Sequence, residues 1–417
     1  MAGAQEDPRR ALLLDLYRIA LSAVDGRRRM RAALAADEPA GPFSVLAIGK
    51  AAPAMVLGAL DALGSRLVRG LVIAPEESFT EELLACPRIR CVAGGHPLPD
   101  ARSLAAGEAV LAFARATTAG SRVLVLVSGG ASALVEVPAP GVALDDLRRL
   151  NSWAQAAAID VVTLNAMRSS LSLIKGGRLP AHFAGAEMLG FLISDVPDDD
   201  PAVIGSGLLG IPRGPPAISD WPGWLTKLAT RAAPAPPASS GCRVAVIARL
   251  ADALDAAERE AGLRGLTVRR STTRLSGDAE TAARRICHEL AVGDAELHLW
   301  GGETVVPLPA KPGRGGRCQH LALAVARHIA GHPEFIVLAA GTDGQDGNSG
   351  DAGAIVDGGT LDRALEAGFD PVRCLESADS GNLLEAAGEL IHTGPTGTNV
   401  ADLVLAARIE PQKAWSM

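Results

Sequence analysis

The sequence is poor in aromatic side chains: Phe, Trp and Tyr make up 3% of its 417 residues, with a single tyrosine. A core built on stacked rings is therefore excluded, and Leu, Val, Ile and Ala must supply the buried surface. Cysteine pairing is missing as well. Cys86, Cys91, Cys242, Cys287, Cys318 and Cys374 stand apart with no CxxC, which argues against a spaced zinc site and a disulfide framework. No apolar run approaches the ~20 residues that cross a bilayer. The N-terminal stretch mixes acids with bases, as an amphipathic helix does and a signal peptide does not. Basic charge is not in excess either. Forty Lys and Arg against 47 Asp and Glu leave a net charge of −7, so nothing electrostatic favours a nucleic-acid partner. The basic run Arg27–Arg29 reads as a solvated helix end. A soluble, cytoplasmic protein with no membrane and no nucleic acid partner is the expectation.

What is present is a globular composition, 48% hydrophobic and 21% charged, in a chain too long for one ordinary core. Two domains, or three, are expected. Short apolar runs at 45–48, 71–73, 123–127 and 189–193 alternate with Ala- and Leu-rich helical stretches. Near-continuous apolar strands separated by helices are what a parallel sheet covered on both faces requires. The first half therefore reads as a doubly wound α/β domain. Between 211 and 241 the composition turns to Pro, Ala and Gly, the best linker candidate. Alternation then resumes, with strands expected at 244–247, 266–270, 297–300, 304–307 and 335–339. Helices are expected up to about Gly262 and over 278–290.

Several segments carry residues suited to anion chemistry. The strand Val123–Val127 runs into Ser128, Gly129, Gly130, Ala131 and Ser132. Glycines there let backbone N–H groups face a phosphate, or simply make a tight strand-to-helix turn. Lys311, Arg314 and Arg317 are interleaved with glycines after Gly301-Gly302-Glu303, giving either a guanidinium-delivering loop or an exposed basic one. Asp343 and Asp346 lie three apart in a Gly-rich loop after the 335–339 strand, as Mg²⁺ ligands or as an Asx turn. Asp195 follows the strand ending at Ile193 and is suited to a base or metal-ligand role, while Asp198–Asp200 read as a cap or solvated turn. The run from His392 to Asp402, rich in Thr and Gly, precedes an expected terminal helix and lines an anion site or caps that helix. Lys50 closes Ala47-Ile-Gly-Lys50, again strand to Gly to helix. There is no GxxxxGK[ST] loop, and no GxGxxG after the first strand.

Taken together and in order, these segments resemble the class II glycerate 2-kinases, the family with an N-terminal DUF4147 domain and a C-terminal MOFRL domain. The matching stretches are AIGKAA (47–52), GGHPLPD (94–100), LVSGGASAL (126–134), NAMRSSLSLIKGGRL (165–179) and ISDVPDDDP (193–201). They continue with GGETVV (301–306), GGRCQ (315–319), AAGTDGQDG (339–347) and HTGPTGTNVADL (392–403). The resemblance implies two α/β domains, a Rossmann-like one over 1–235 and a MOFRL-type one over 236–417, with the active site in the cleft between them. It implies ATP-dependent, Mg²⁺-assisted phosphorylation of D-glycerate to 2-phosphoglycerate.

By motif position Lys50, Asp195 and Arg317 match the family's active-site trio. Lys50 would serve phosphate or carboxylate charge and Arg317 the transferring phosphoryl group. Asp195 would orient or deprotonate the hydroxyl, or bind the metal. Ser128, Gly129, Gly130 and Ser132 would cradle an anion, and Asp343 with Asp346 would support Mg²⁺. Lys175 and Arg178 would meet the substrate's anionic end, with Glu303, Thr396, Thr398 and Asn399 as further substrate or phosphate contacts. A homodimer is compatible with this picture. The chain departs from the family in reading GGRCQH for the usual GGRNQE, which puts Cys318 and His320 in place of an amide and a carboxylate beside Arg317. It also reads Gly205–Leu209 where an ASGPT-like segment is usual, and Ala378–Gly381 lacks an aromatic. These changes bear chiefly on acceptor identity. The competing readings are a hydroxypyruvate reductase, whose nicotinamide fingerprint is missing, and a relative that acts on or only binds another hydroxy acid.

Overall fold

A computed structural model describes residues 7–37, 41–157, 159, 161–183, 185–210, 221–232 and 242–409. Its chain forms two compact units, one of Asp25–Arg249 with Gly397–Asn399, the other of Met1–Val24, Leu250–Thr396 and Val400–Met417.

The first unit is built on a six-stranded sheet of β1 (Phe43–Ile48), β2 (Leu67–Ala74), β3 (Ile89–Ala93), β4 (Arg122–Val127), β5 (Glu187–Ile193) and β6 (Cys242–Ala248). Its order is β3-β2-β1-β4-β5-β6, and every pairing is parallel. All six residues of β1 are buried, and Val123–Val127 of β4 are at most 1% exposed. Burying each Val, Leu, Ile or Phe among them contributes about 1.5–3 kcal/mol, which compensates for the shortage of rings. The chain leaves β1 toward β2 on one side and returns at β4 on the other, so the order reverses between β1 and β4. Ligands of such sheets gather at the carboxyl ends of the strands at that reversal.

The second unit carries a mixed sheet of β7 (Val268–Arg270), β8 (Leu297–Gly302), β9 (Phe335–Gly341), β10 (Gly353–Asp357), β11 (Leu390–Ile391) and β12 (Asp402–Arg408), in the order β11-β10-β9-β12-β8-β7. Only β7 with β8 pairs in parallel; the other contacts are antiparallel. The helix Arg317–Ile329 buries nearly every residue in this unit's core.

The expected boundary at 235/236 differs from this arrangement. β6 completes the first sheet beside β5, and the helix Pro8–Ala23 belongs with the second unit, where the Tyr17 hydroxyl donates to the Gly341 carbonyl at 2.6 Å. Two element expectations are corrected. Residues 304–307 form no strand: Val305 makes one isolated bridge and is 58% exposed, and Pro307 has no N–H to give a ladder. The segment after Asn399 is β12, inserted between β9 and β8, and not a terminal helix. The expected linker holds a helix, Gly223–Arg231; its flanks, 211–220 and 233–241, lie outside the described residues. Among the described residues no helix is long and apolar enough to cross a membrane.

Candidate active site

At the reversal point of the first sheet, the turns after β1 and β4 are joined by hydrogen bonds. Lys50 N–H donates to the Gly129 carbonyl at 2.9 Å, and Ala51 N–H to the Ser128 hydroxyl at 3.0 Å. Ser128 is fully buried, so its hydroxyl holds the start of the helix Ala52–Leu63. Gly49 has φ +131°, and a Cβ there would lie 2.2 Å from Ser128 Oγ, which is why the β1 exit takes glycine. Gly129 is as confined. A Cβ on it would sit 2.0 Å from Asn399 Nδ2 and 2.2 Å from Asp195 Oδ2. Across Gly130 (φ +82°) stand Lys50 and His96, with Lys50 Cγ 3.2 Å and His96 Cδ2 3.3 Å from the same hypothetical position. Lys50, Gly129, Gly130, Asp195 and Asn399 thus converge, and His96 joins them.

In the second unit Arg317 opens its helix and is held on two sides. Nε and Nη2 donate to the two oxygens of Asp402 at 2.6 and 3.0 Å, and Nη1 pairs with Glu303 at 2.6 Å. Burial alone would push the guanidinium pKa down, but Asp402 and Glu303 carry it well above the ordinary arginine value. Asp346 lies across the same helix start. Its two oxygens accept from the N–H groups of Cys318 and Gln319 at 3.0 and 2.8 Å. A Cβ on Gly316 would fall 2.2 Å from Asp346 Oδ1, so glycine lets the cap approach. The Thr396 hydroxyl donates to the Thr342 carbonyl, the Thr342 hydroxyl to the Ala401 carbonyl at 2.6 Å, and Val400 N–H to the Thr342 hydroxyl at 2.8 Å. These bonds hold the turn that leads into Asp402. Thr398, which belongs with the first unit, is buried.

Two family models match the chain, a domain of unknown function (DUF4147) over residues 12–214 and the MOFRL family over 296–402. The D-glycerate 2-kinase of Thermotoga maritima is 32% identical over 87% of this chain and 89% of its own length. The chain belongs to this glycerate 2-kinase family. A solved glycerate kinase structure from T. maritima superposes with a TM-score of 0.80 at 29% identity, covering 96% of this chain and 99% of that one. Another relative, from Agrobacterium vitis, is 34% identical over 87% of this chain and 98% of its own length, and is named a putative hydroxypyruvate reductase.

Within this family frame the remaining expected residues divide. Ser132 bonds to the Ser206 hydroxyl at 2.7 Å. Lys175 is 1% exposed and ion-paired with Glu136; burial lowers its pKa while Glu136 pulls it back up. Arg178 donates to the carbonyls of Ser169 and Lys175 at 2.7 and 2.9 Å. Both cations are thus engaged with the protein itself. Asp200 accepts from Ala202 N–H at 2.9 Å, the turn geometry expected of that acidic run.

The family implies Mg²⁺, and Asp346 does not fit it. Both its oxygens are taken by helix N–H groups, and burial raises its pKa to about 7, against the pull of those donors. Asp343 Oδ1 accepts from Gln345 N–H at 3.1 Å, an Asx turn. Among the described residues no group of three or more His, Cys, Asp or Glu is arranged to hold a metal.

The two substitutions beside Arg317 are buried. Burial, with Asp402 and Asp346 adding to it, holds the Cys318 thiol well above its ordinary pKa. Burial lowers that of His320, against Glu280. Asp402 lies within HTGPTGTNVADL and His96 within GGHPLPD, and sequence reasoning missed both as site residues. The first needed knowledge of its partner 85 residues away; the second carried the signal of a His-Pro following two glycines.

Proposed function

We propose that this chain is an ATP-dependent glycerate kinase that phosphorylates the 2-hydroxyl of D-glycerate. One observation carries the reading: Lys50, the Gly129 backbone and Asp195 meet at the reversal point of a parallel sheet, in a chain that aligns nearly end to end with a D-glycerate 2-kinase. Phosphoryl transfer asks for positioning and charge neutralisation more than for covalent chemistry. Asp195 orients the acceptor hydroxyl and takes its proton. Lys50, on the other side of the glycine turn, offsets phosphate charge. Arg317 is permanently charged, and its three ion-paired nitrogens use three of five N–H donors, leaving two for the transferring group. Mg²⁺, if brought by the nucleotide, would supply further charge neutralisation at its phosphates. A cytoplasmic location would suit a reaction that consumes ATP.

The name of the Agrobacterium relative motivates one control. The turn after β1 is Gly49-Lys50 with no dinucleotide fingerprint, so hydroxypyruvate should not oxidise NAD(P)H. The test is ADP release from ATP, Mg²⁺ and D-glycerate, with the phosphoglycerate isomers resolved by NMR. Appearance of 2-phosphoglycerate is expected. ADP release with only the 3-isomer, or no release, would overturn the assignment.

A further inference from the structure

The 165–179 segment of the first unit carries three cations, Lys175 buried and Arg168 and Arg178 half-buried, and their partners differ. Lys175 is neutralised by Glu136, and Arg178 gives its Nη1 hydrogens to two carbonyls of its own loop, Ser169 and Lys175. Arg168, in the last turn of the helix Val161–Ser170, has no carboxylate partner among the described residues. Its Nη1 reaches Asn165 Oδ1 at 3.4 Å and its Nη2 donates to Asn151 Oδ1. Those bonds use two of the five donors a guanidinium offers. A half-buried cation whose side-chain bonds go to amide oxygens is costly to keep. Burial pushes its pKa down to about 10, with Glu136 acting in the other direction.

The same network locates Arg168 relative to the glycine turn. Asn165 Oδ1 also bonds the Ser206 hydroxyl at 2.8 Å, and Ser206 Oγ lies 2.7 Å from Ser132 Oγ. Ser206 itself is held at φ +57°, a conformation a non-glycine residue rarely keeps without reason. Three successive contacts therefore connect Arg168 to the first helical turn after Gly130, beside the Gly129–Asp195 approach.

We propose that Arg168 binds the carboxylate of the acceptor hydroxy acid. This rests on the kinase reading above and names the residue that selects an acid over a neutral polyol. A guanidinium fork makes two parallel bonds to a planar carboxylate, and one positive charge matches one negative charge. A polyphosphate needs several donors, which the glycine turn and Lys50 are placed to provide. Lys175 is matched by Glu136 and Arg178 ties its own loop together, whereas the contacts of Arg168 lead through Asn165 and Ser206 to the glycine turn.

The experiment compares wild type with Arg168→Gln and Arg168→Lys, using D-glycerate, its uncharged amide glyceramide, and ATP, with melting temperatures to establish folding. Arg168→Gln should raise KM for D-glycerate at least about tenfold, as loss of a charge-assisted bond does. It should leave KM for ATP within about twofold and abolish the preference for D-glycerate over glyceramide. Arg168→Lys, which keeps the charge and guards against a folding defect, should fall between. An unchanged glycerate KM in a folded variant, or a rise confined to ATP, overturns the proposal. If wild type turns over no glycerate, the kinase reading fails separately, and calorimetry with D-glycerate and hydroxypyruvate decides. Binding lost in Arg168→Gln supports the carboxylate site; equal binding, or none to wild type, overturns it.

Discussion

Arg317 and Asp402 form a two-point ion pair across 85 residues of sequence, Nε to Oδ2 at 2.6 Å and Nη2 to Oδ1 at 3.0 Å. Asp402 is 5% exposed and follows Ala401, which is held at φ +77°. The carboxylate is thereby fixed before the guanidinium meets it, and Arg317 inherits a defined orientation. Glu303, its other partner, has a side chain 46% exposed and contributes less.

Asp402→Asn should therefore lower kcat at least about tenfold, as loss of an oriented transition-state charge does. It should also cost roughly 1–3 kcal/mol of stability, the range for hydrogen bonds to charged groups. Glu303→Gln should cost less than about 1 kcal/mol. Steady-state kinetics and urea unfolding read both; equal losses in the two variants would show that Asp402 has no privileged hold on Arg317.

The buried Lys175–Glu136 pair predicts a strongly non-additive double mutant. Lys175→Met strands the Glu136 charge, leaving it the Ser172 hydroxyl donor at 2.6 Å and its own link to Val137 N–H, and should cost about 3–5 kcal/mol. Adding Glu136→Leu removes the stranded charge and should restore most of that loss. Denaturant midpoints at constant slope measure it. A double mutant no more stable than Lys175→Met would mean the pair's hydrogen bonds, and not its charges, dominate.

Gly129 and Gly262 make a matched steric test. A methyl group on Gly129 would collide with Asn399 and Asp195, so Gly129→Ala should displace both and depress turnover by about a hundredfold or more, the scale of a 1 Å misplacement. Gly262 lies in the helix Leu250–Leu263 with nothing within 4 Å of the same position, and Gly262→Ala should stabilise by about 0.4–1 kcal/mol. Kinetics and melting curves on the two proteins suffice. Full activity in Gly129→Ala would remove the tight turn from the mechanism.

The parts of this molecule that were legible in sequence are those whose signal is local. β1, β4 and β5 are unbroken apolar runs, and Lys50, Ser128–Gly130 and Asp195 lie just past their ends, so a sheet rule alone brings them together. β12 was not legible. Its Ala- and Leu-rich run suits a helix by propensity, but insertion between β9 and β8 buries Asp402–Ala407, and that burial decides the outcome. The roles of charged groups were hidden for the same reason. Lys175 meets Glu136 from 39 residues away, and nothing near Lys175 in sequence announces that its charge is already neutralised. The Arg168 amide cradle likewise draws Asn151 from a different helix.

Asp346 predicts a pH dependence of opposite sign to that of an ordinary salt-bridged carboxylate. Burial lifts its native pKa to about 7, while the two N–H donors of Cys318 and Gln319 pull down and the nearby Asp402 adds to the rise. In the unfolded chain the group titrates near the usual ~3.9. Between about pH 4 and pH 7 the native state thus holds a proton that the unfolded state has released. Stability contributed by this group is then present at low pH and lost as pH rises toward 7, at a limiting slope of about 1.4 kcal/mol per pH unit. Asp346→Asn cannot titrate, and it leaves one helix N–H without a good acceptor, at a cost of roughly 1–3 kcal/mol. The stability advantage of wild type over Asp346→Asn should therefore shrink steadily from pH 4 to pH 7 and level off above it, measured by urea unfolding at fixed ionic strength. An advantage that is constant or grows across that window would mean the carboxylate stays ionised. The two helix N–H bonds would then outweigh the cost of burying its charge at the start of the Arg317 helix.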